Sequence, residues 1–533
     1  MVTVEKNIGF DTEVLIVGAG PTGLVLALWL SKLGIAVRII DKTAESGTTS
    51  RAVGIAARTL ELYRQLHLAD ALAGAGVKVP GVNFWTRGKR AAHLTLSRLG
   101  EGVTPFPFFL VYPQDEHELL LIERLASLGV QVERRTELVR IEERGDSVEA
   151  TLKNPDGAEE TLRAIYVAGC DGAHSTVRES LGIGFPGGTY SALFYVADVD
   201  ARGPPVNGEI HLELDDADFL AVFPLRKTGH LRLIGSVRPD SMDKKKEFAF
   251  ADVGQRVIEH MQLTIERVNW FSTYHVHHRV AAKFRAGRAF LLGDAAHIHS
   301  PVGGQGMNTG IGDSVNLAWK LAAVLNGSAP DAVLDTYEVE RIAFARKLVA
   351  TTDRVFTFVT RPGDIAGFVR TRVVPLVAPT LVRLPAVRRF MFRTVSQTAI
   401  TYRDSALSEG IAGNVHGGDR LPWVQLSPIG DNFDPLTSLA WQVHVYGEPG
   451  PRVGEICAAL NLPLHSFSWS PAIARAGFVR NAIYLIRPDG YVAMADEDAD
   501  AKKLSEYFRG RGIEPTAPAS ADSASPQPIR RAR

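Results

Sequence analysis

The sequence predicts an α/β protein of several domains, and three observations carry that reading. A strand, a glycine-rich turn, a helix and a second strand open the chain over residues 11–41. Runs of alternating apolar and polar residues, with few long helical patterns, fill roughly 181–282. Short strand patterns resume after about residue 409. At 533 residues the chain exceeds one ordinary core, so two to four domains are expected, with room to bury a large ligand. Lys and Arg number 59 against 59 Asp and Glu, which removes any global pull toward nucleic acid and favours small-molecule chemistry.

The first element places acids and a lysine ahead of a strand at Glu13–Val17, an order unlike a signal peptide, so a cytoplasmic chain is expected. Cys170 and Cys457 are too few for a disulfide framework or a thiolate zinc site. In "EVLIVGAGPTGLVLALWLSKLGIAVRIID" the strand runs into Gly18, Gly20 and Gly23, a helix continues to about Leu33, and a second strand ends at Asp41. Gly18 permits the tight turn, Gly20 lets a pyrophosphate approach the backbone, and Gly23 lets helix and strand pack closely. The helix amino end offers free N–H groups and a positive dipole, and Asp41 is placed to accept hydrogen bonds from an adenosine ribose. This unit does not separate NAD from FAD, because both carry the same ADP half.

The chain then leaves this domain near residues 76–110, through the loop-like "KVPGVNFWTRGKR", and returns with α/β character to about Arg178. The expected organisation is 1–180 for the first part of a nucleotide-binding domain, 181–282 for an inserted sheet, 283–408 for the return and a helical region, 409–513 for a third domain, and 514–533 for a mobile Pro/Ala/Ser-rich tail. The most membrane-like run, Val373–Val382, is ten uncharged residues broken by Pro375 and Pro379, well short of the ~20 needed to span a bilayer, so no integral membrane segment is expected.

The stretch "LLGDAAHIHSPVGGQGMNTG", Leu291 to Gly310, joins a strand end to an acid, two histidines and a run of glycines ahead of a helix. His297 and His299, like His275 and His277, have H-x-H spacing, but this alone matches no strong zinc pattern, and no metal is expected. Gly303, Gly304 and Gly306 instead clear side chains from the backbone where the helix begins. That makes a flat approach for a planar ring and turns N–H groups toward the negative charge a reduced flavin carries. Asp294 is suited to a polyhydroxy chain. Ile311, Val315, Ala318, Ala322 and Leu325 then recur on one helix face, with Gly327 as the stop.

Taken in order, "VGAGPTGLVLALWL" with Asp41, "SRAVGIAARTLEL", "YPQDEHELLL", "AGCDGAHSTVR" and "GRAFLLGDAAHIHSPVGGQGMNTGIGDSVNLAWKLA" resemble the FAD-dependent aromatic hydroxylases of the para-hydroxybenzoate hydroxylase type. The resemblance covers most of residues 11–345. It implies an FAD-binding Rossmann-like domain with an inserted antiparallel-sheet substrate domain. It also implies that Arg51 and Gln114 contact FAD, that Asp171 and Gly172 form a second fingerprint supported by Arg178, and that Asp294 holds the ribityl chain. Pro301, Gly303, Gly304, Gly306, Met307 and Asn308 would line the isoalloxazine, with Pro301, Gly303 and Gly304 nearest the chemistry. "GGDRLPW" and "LIRPDGYVAM" resemble the C-terminal thioredoxin-like domain of the phenol and polyketide hydroxylase branch. Without C-x-x-C, a structural or homodimer-facing role is expected there rather than dithiol chemistry.

The activity so implied is NADPH or NADH reducing FAD, O2 adding to form a flavin hydroperoxide, and a phenolic or polyketide-type aromatic substrate taking up the distal oxygen. His211, His230, Tyr274 and His275 are substrate-side acid–base candidates by residue type alone. The alternatives are a dehydrogenase or halogenase on the same scaffold, although the halogenase pattern W-x-W-x-I-P is missing from "SFSWSPAI", and a flavin-binding regulator without turnover.

Overall fold

The computed structural model describes residues 10–47, 52–86, 88–96, 99–214, 219–237, 249–253, 255–299, 304–360 and 384–516. Arg51, Pro301, Gly303, Val373–Val382 and the tail beyond 516 lie outside the described residues. The chain forms two compact units, Met1–Leu325 with Asp331–Ala406, and Asn326–Pro330 with Leu407–Arg533.

In the first unit the apolar run at the start becomes strand Thr12–Val17, the glycine turn leads into helix Pro21–Lys32, and the second strand is Val37–Asp41. Thr12–Val17 lies between Glu159–Gly169 and Val37–Asp41, parallel to both. Ala289–Leu291 and Val132–Arg134 extend this parallel core on either side. A parallel sheet is covered on both faces, which is why its strands and helix Pro21–Lys32 read as nearly continuous apolar runs. The helix is buried from Gly23 to Leu30.

A second, eight-stranded sheet is mostly antiparallel. Its order runs from His297–Ile298 through Thr264–Val280, Gly187–Arg202, His230–Val237, Phe219–Pro224 and Ile210–Leu214 to Gly81–Thr86 and Lys89–Thr95. The two strands from the early excursion thus form one edge, with Gly81–Thr86 pairing parallel to Ile210–Leu214. One face packs Tyr195, Val199, Leu220 and Leu233 onto Val257, Ile258 and Met261. The opposite face carries Val196, Ala221 and Ile234 with Phe219, Phe223, Trp270 and Tyr274 packed around them.

Helix Gly306–Leu325 departs from its expected one-sided pattern. Ile311, Val315, Ala318 and Ala322 are buried as read, but so are Asp313, Asn316, Trp319, Lys320 and Leu321. Helix Pro21–Lys32 packs against it, with Ser314 Oγ donating to Thr22 O (2.7 Å), and helix Asp335–Thr360 brings partners for its charged residues. Lys320 donates to Glu340 Oε2 (2.9 Å) and Asn316 Oδ1 (2.8 Å), and Glu340 accepts further bonds from Asn316 (2.5 Å) and Ser405 (2.7 Å).

The second unit has a sheet ordered Val415–His416, Glu409–Ala412, Val492–Asp496, Ile483–Ile486, Gln442–Tyr446, Leu464–Phe467. Helices Pro451–Ala459, Pro471–Ala476 and Lys502–Arg511 accompany it. Cys170 and Cys457 are both free, and burial pushes the Cys457 thiol up to about 11. Among the described residues, no helix is long and apolar enough to cross a membrane.

Lys320 and Glu340 are both fully buried, so removing one partner strands the other's charge. Lys320→Met should cost about 3–5 kcal/mol in urea unfolding, whereas Lys320→Met with Glu340→Leu should recover most of the loss.

Candidate functional site

The register of the parallel core brings three motifs to one level. Val17 sits beside Gly169, and Gly169 sits beside Leu291, so three adjacent strands end together. Gly18 follows the first end, Cys170 and Asp171 the second, and Leu292 through Asp294 the third. The carboxyl edge of such a sheet is where open α/β folds bind their ligands.

The glycines of the first motif differ in what surrounds them. Gly18 has φ +104°, and a Cβ there would stand 2.3 Å from Cys170 O; one at Gly23 would stand 1.9 Å from Gly18 O. A Cβ at Gly20 would meet nothing within 4 Å. Two of these positions are closed by backbone, and the third opens onto space a phosphate can occupy. Asp41 ends the second strand, where Oδ2 accepts the Ala19 N–H (2.7 Å) and Oδ1 accepts the Thr43 N–H (2.8 Å). Oδ1 also accepts the Thr43 hydroxyl (2.6 Å), so the carboxylate braces the glycine loop, a role that the sequence reading lacked, with one acceptor site on Oδ2 not taken by these bonds.

Asp171 Oδ2 accepts the Val177 N–H (3.2 Å), while its buried Oδ1 has no partner. Burial raises its pKa, opposed by hydrogen bonds from Ser175 and Val177. Arg178 is buried and donates to Ala295 O (3.0 Å) and Ala173 O (2.9 Å), tying the second motif to the third. The third motif is drawn against the first through Thr22, whose Oγ1 would lie 2.7 Å from a Cβ on Gly293 and 2.3 Å from one on Gly310. Asp294, in the single turn Gly293–Ala295, is exposed at this edge.

His297 is not free for a metal. Its Nε2 pairs with Asp313 Oδ2 (2.8 Å), which also accepts the Gly293 N–H (3.0 Å), while Oδ1 accepts from Arg341 Nε (2.6 Å). Burial alone would raise the Asp313 pKa, but Arg341 and His297 hold it below the usual carboxylate range. Arg341 continues to Thr309 O (3.0 Å) and Tyr402 (2.8 Å). Asp313 and Arg341 were missed from the sequence. The available signal was an acid inside the apolar helix pattern of "GIGDSVNLAWKLA".

Gly304 has φ +61°, and a Cβ there would come within 4.0 Å of the Phe109 ring; helix Gly306–Leu325 begins two residues later. Met307 is half-buried in its first turn. The Asn308 side chain is fully engaged within the protein: Oδ1 accepts from Ala56 (2.8 Å) and Thr59 (2.7 Å), and Nδ2 donates to Gly54 O (2.9 Å) and Gly304 O (2.9 Å). It fixes the turn, leaving its backbone for a ring. Gln114 opens helix Gln114–Ala126 and links Ala52 (3.2 Å) to Glu118 (2.8 Å).

The substrate-side candidates do not converge. His211 accepts Trp85 Nε1–H at Nδ1 (2.9 Å), leaving Nε2–H for Asn207 (2.9 Å), and burial lowers its pKa to about 4. His230 pairs with Asp200 (3.1 Å), His275 is exposed, and Tyr274 is half-buried beside Phe194. The sheet instead shows a pair that the sequence reading did not name: buried Arg232 on Asp198 (2.6 and 2.7 Å), with Arg232 also donating to Ala52 O (3.3 Å).

These features fit the group that the resemblance implies. Open space at Gly20 suits a pyrophosphate, and the unpartnered Asp171 oxygen and exposed Asp294 suit its hydroxyls. The turn at Gly304 suits a planar ring.

His211 offers a test of its structural role. Its folded pKa lies below its ordinary 6.5, so the unfolded chain binds the extra proton first as pH falls. The contribution of His211 to stability should be complete above 6.5 and fall progressively toward about 4. His211→Gln should flatten that slope in denaturant midpoints measured across the window.

The FAD binding domain family matches residues 11–352. The 6-methylpretetramide 4-monooxygenase of Streptomyces rimosus is 32% identical over 551 residues, covering 96% of this chain and 96% of its own length. A flavin-dependent monooxygenase of Mycobacteroides abscessus is 31% identical over 515 residues, covering 93% of this chain and 99% of its own. The solved anhydrotetracycline hydroxylase of Streptomyces rimosus matches with a TM-score of 0.75 at 28% identity, over 95% of this chain and 100% of that one. With three glycine and acid motifs level at one sheet edge and relatives alike over nearly their whole lengths, the chain belongs to the FAD binding domain family and is an FAD-dependent aromatic monooxygenase.

Proposed function

We propose that this monooxygenase hydroxylates the ring of a phenolic or polyketide-type aromatic substrate, with NADPH or NADH and O2 as co-substrates. The observation that carries the reading is the level ending of three parallel strands, each followed by a glycine or acid motif. Bound FAD supplies the electron transfer and oxygen activation. The chain supplies binding, orientation and charge. The N–H groups after Gly18 and Gly20, at the amino end of helix Pro21–Lys32, face the pyrophosphate. Asp41 takes the adenosine ribose, Asp171 and Gly172 support the nucleotide, and Asp294 takes the polyhydroxy chain. Arg51 and Gln114 are read as FAD contacts on the family resemblance alone.

In this reading the turn at Gly304 and the backbone of Gly306, Met307 and Asn308 form the bed for the ring, and the resemblance adds Pro301 and Gly303, which lie outside the described residues. The amino end of the helix that starts at Gly306 would favour negative charge on a ring held beside it.

The second unit is read as thioredoxin-like. In support, strand Gln442–Tyr446, helix Pro451–Ala459, strand Leu464–Phe467, helix Pro471–Ala476, strands Ile483–Ile486 and Val492–Asp496, and helix Lys502–Arg511 follow in a βαβαββα order. With Cys457 alone it is assigned a structural or homodimer-facing role. The same reading takes the chain as cytoplasmic, in keeping with its two unpaired cysteines.

Gly20→Val should leave the unfolding free energy of the FAD-free protein within about 0.5 kcal/mol of the parent, because the site is open there, yet lower FAD affinity at least tenfold. Gly23→Val should lower both. Turnover is tested by following NAD(P)H oxidation with a panel of phenols, polyphenols and fused aromatics. A product heavier by one oxygen atom is expected; desaturation, halide-dependent products or silence would overturn the proposal.

A further inference from the structure

Helix Pro385–Val395 presents a face that the core of the first unit does not cover. Its sequence, PAVRRFMFRTV, spaces Ala386, Arg389, Phe390 and Arg393 so that they share one side of an α-helix, and all four are exposed. Phe390 is 71% exposed, and Leu384 and Val395 at the two helix ends are 52% and 41% exposed. The opposite side holds the helix in place. Phe392 is buried there, its ring 2.3 Å from where a Cβ on Gly100 would stand. Beyond the last turn, Val395 O accepts from Gln305 Nε2 (2.8 Å), and Gln397 Nε2 donates to Gln305 Oε1 (2.7 Å) and Thr309 Oγ1 (3.0 Å). The exposed side chains thus stand on a helix fixed to the start of helix Gly306–Leu325, close to the Gly304 turn.

The charge on this stretch has one sign. Residues 384–402 contain three arginines, Arg388, Arg389 and Arg393, with no lysine and no acid. In the sequence, 361–383 add four arginines against one acid, Asp364, although the whole chain balances 59 basic against 59 acidic residues. Among the described residues, Arg388 and Arg389 make no ion pair. Cations without a neighbouring acid, set beside exposed apolar side chains on one helix, are complementary to a surface that is negative at its face and apolar just beneath.

From this face we infer that helix Pro385–Val395 docks the enzyme on an anionic phospholipid bilayer. Arg389 and Arg393 meet the lipid phosphates, and Phe390, Leu384 and Val395 enter the boundary of the acyl region. At 11 residues the helix is about 16 Å long, too short to cross a bilayer and suited to lie in its interface. An arginine near such a surface strengthens binding about fivefold, and withdrawing the exposed Phe390 ring from water adds about tenfold. The docking is independent of which ring the enzyme hydroxylates. It brings the Gly304 end of the first unit to a phase in which apolar aromatics concentrate.

The test sediments the FAD-loaded enzyme with vesicles of phosphatidylcholine alone or mixed with phosphatidylglycerol, at low and high salt. Partition onto the mixed vesicles should exceed that onto the neutral ones at least about tenfold and fall as salt rises. Arg389→Glu and Phe390→Ser should each lower it at least about fivefold. Arg202→Glu, a control whose side chain is 81% exposed on the inserted sheet, should lower it less than about twofold. FAD uptake equal to the parent's reports that each variant has folded. Equal partition onto both vesicle types, partition onto neither, or a control that loses as much as Arg389→Glu would overturn the docking. So would a dimer in sedimentation velocity that Phe390→Ser separates while vesicle binding stays unchanged, which would give the face to a second copy of this chain.

Discussion

Asp313 lies fully buried in helix Gly306–Leu325 and holds three partners at once: the Gly293 N–H, the His297 ring and the Arg341 guanidinium. A carboxylate taken out of water is tolerated only when its lone pairs are filled and its charge is met. Meeting that requirement fixes the turn that presents Asp294, the strand that follows it, and helix Asp335–Thr360 to a single helix. Through Thr309 O and Tyr402, Arg341 carries the same constraint to the start of the helix, beside the Gly304 turn. The Gly293 turn and the start of helix Gly306–Leu325 are thus spaced by one buried charge network.

Close backbone approach performs the complementary task. Gly18, Gly23, Gly293 and Gly310 stand where a Cβ would collide with backbone or with Thr22, so the loop, the two helices and the acid turn meet at distances that no other residue allows. Gly20 is the exception, its missing side chain leaving room for a ligand rather than for the protein. Packing density and ligand access are set by the same residue type, and only the surroundings tell them apart.

The inserted sheet joins this frame through specific contacts. Arg232 bonds to Ala52 O, and the cluster around Val53, Val111 and Phe109 continues into Leu212 and Phe223. One face of the sheet packs the cluster around Tyr195 and Leu233, and the opposite face packs Val196, Ala221 and Ile234 under Phe223, Trp270 and Tyr274. A shift of one residue in strand register would turn Phe223, Trp270 and Tyr274 to the opposite face of the sheet.

By itself the sequence determined the βαβ unit from Thr12 to Asp41, the close backbone approach at Gly18 and Gly23, and the glycine turn ahead of the helix at Gly306. These are local: apolar periodicity and glycine placement act over a few residues, and adjacent positions report them directly. Tertiary structure alone decided that His297 serves Asp313 and that Asn308 ties Gly54 to Gly304. It also decided that His211 is a satisfied neutral ring, and that Trp270 and Phe223 share a row with a buried Arg232. Each depends on a partner brought near by the fold from another element. Spacing along the chain does not encode such a partner, because it is the demand of a buried charge or polar group for company that selects it.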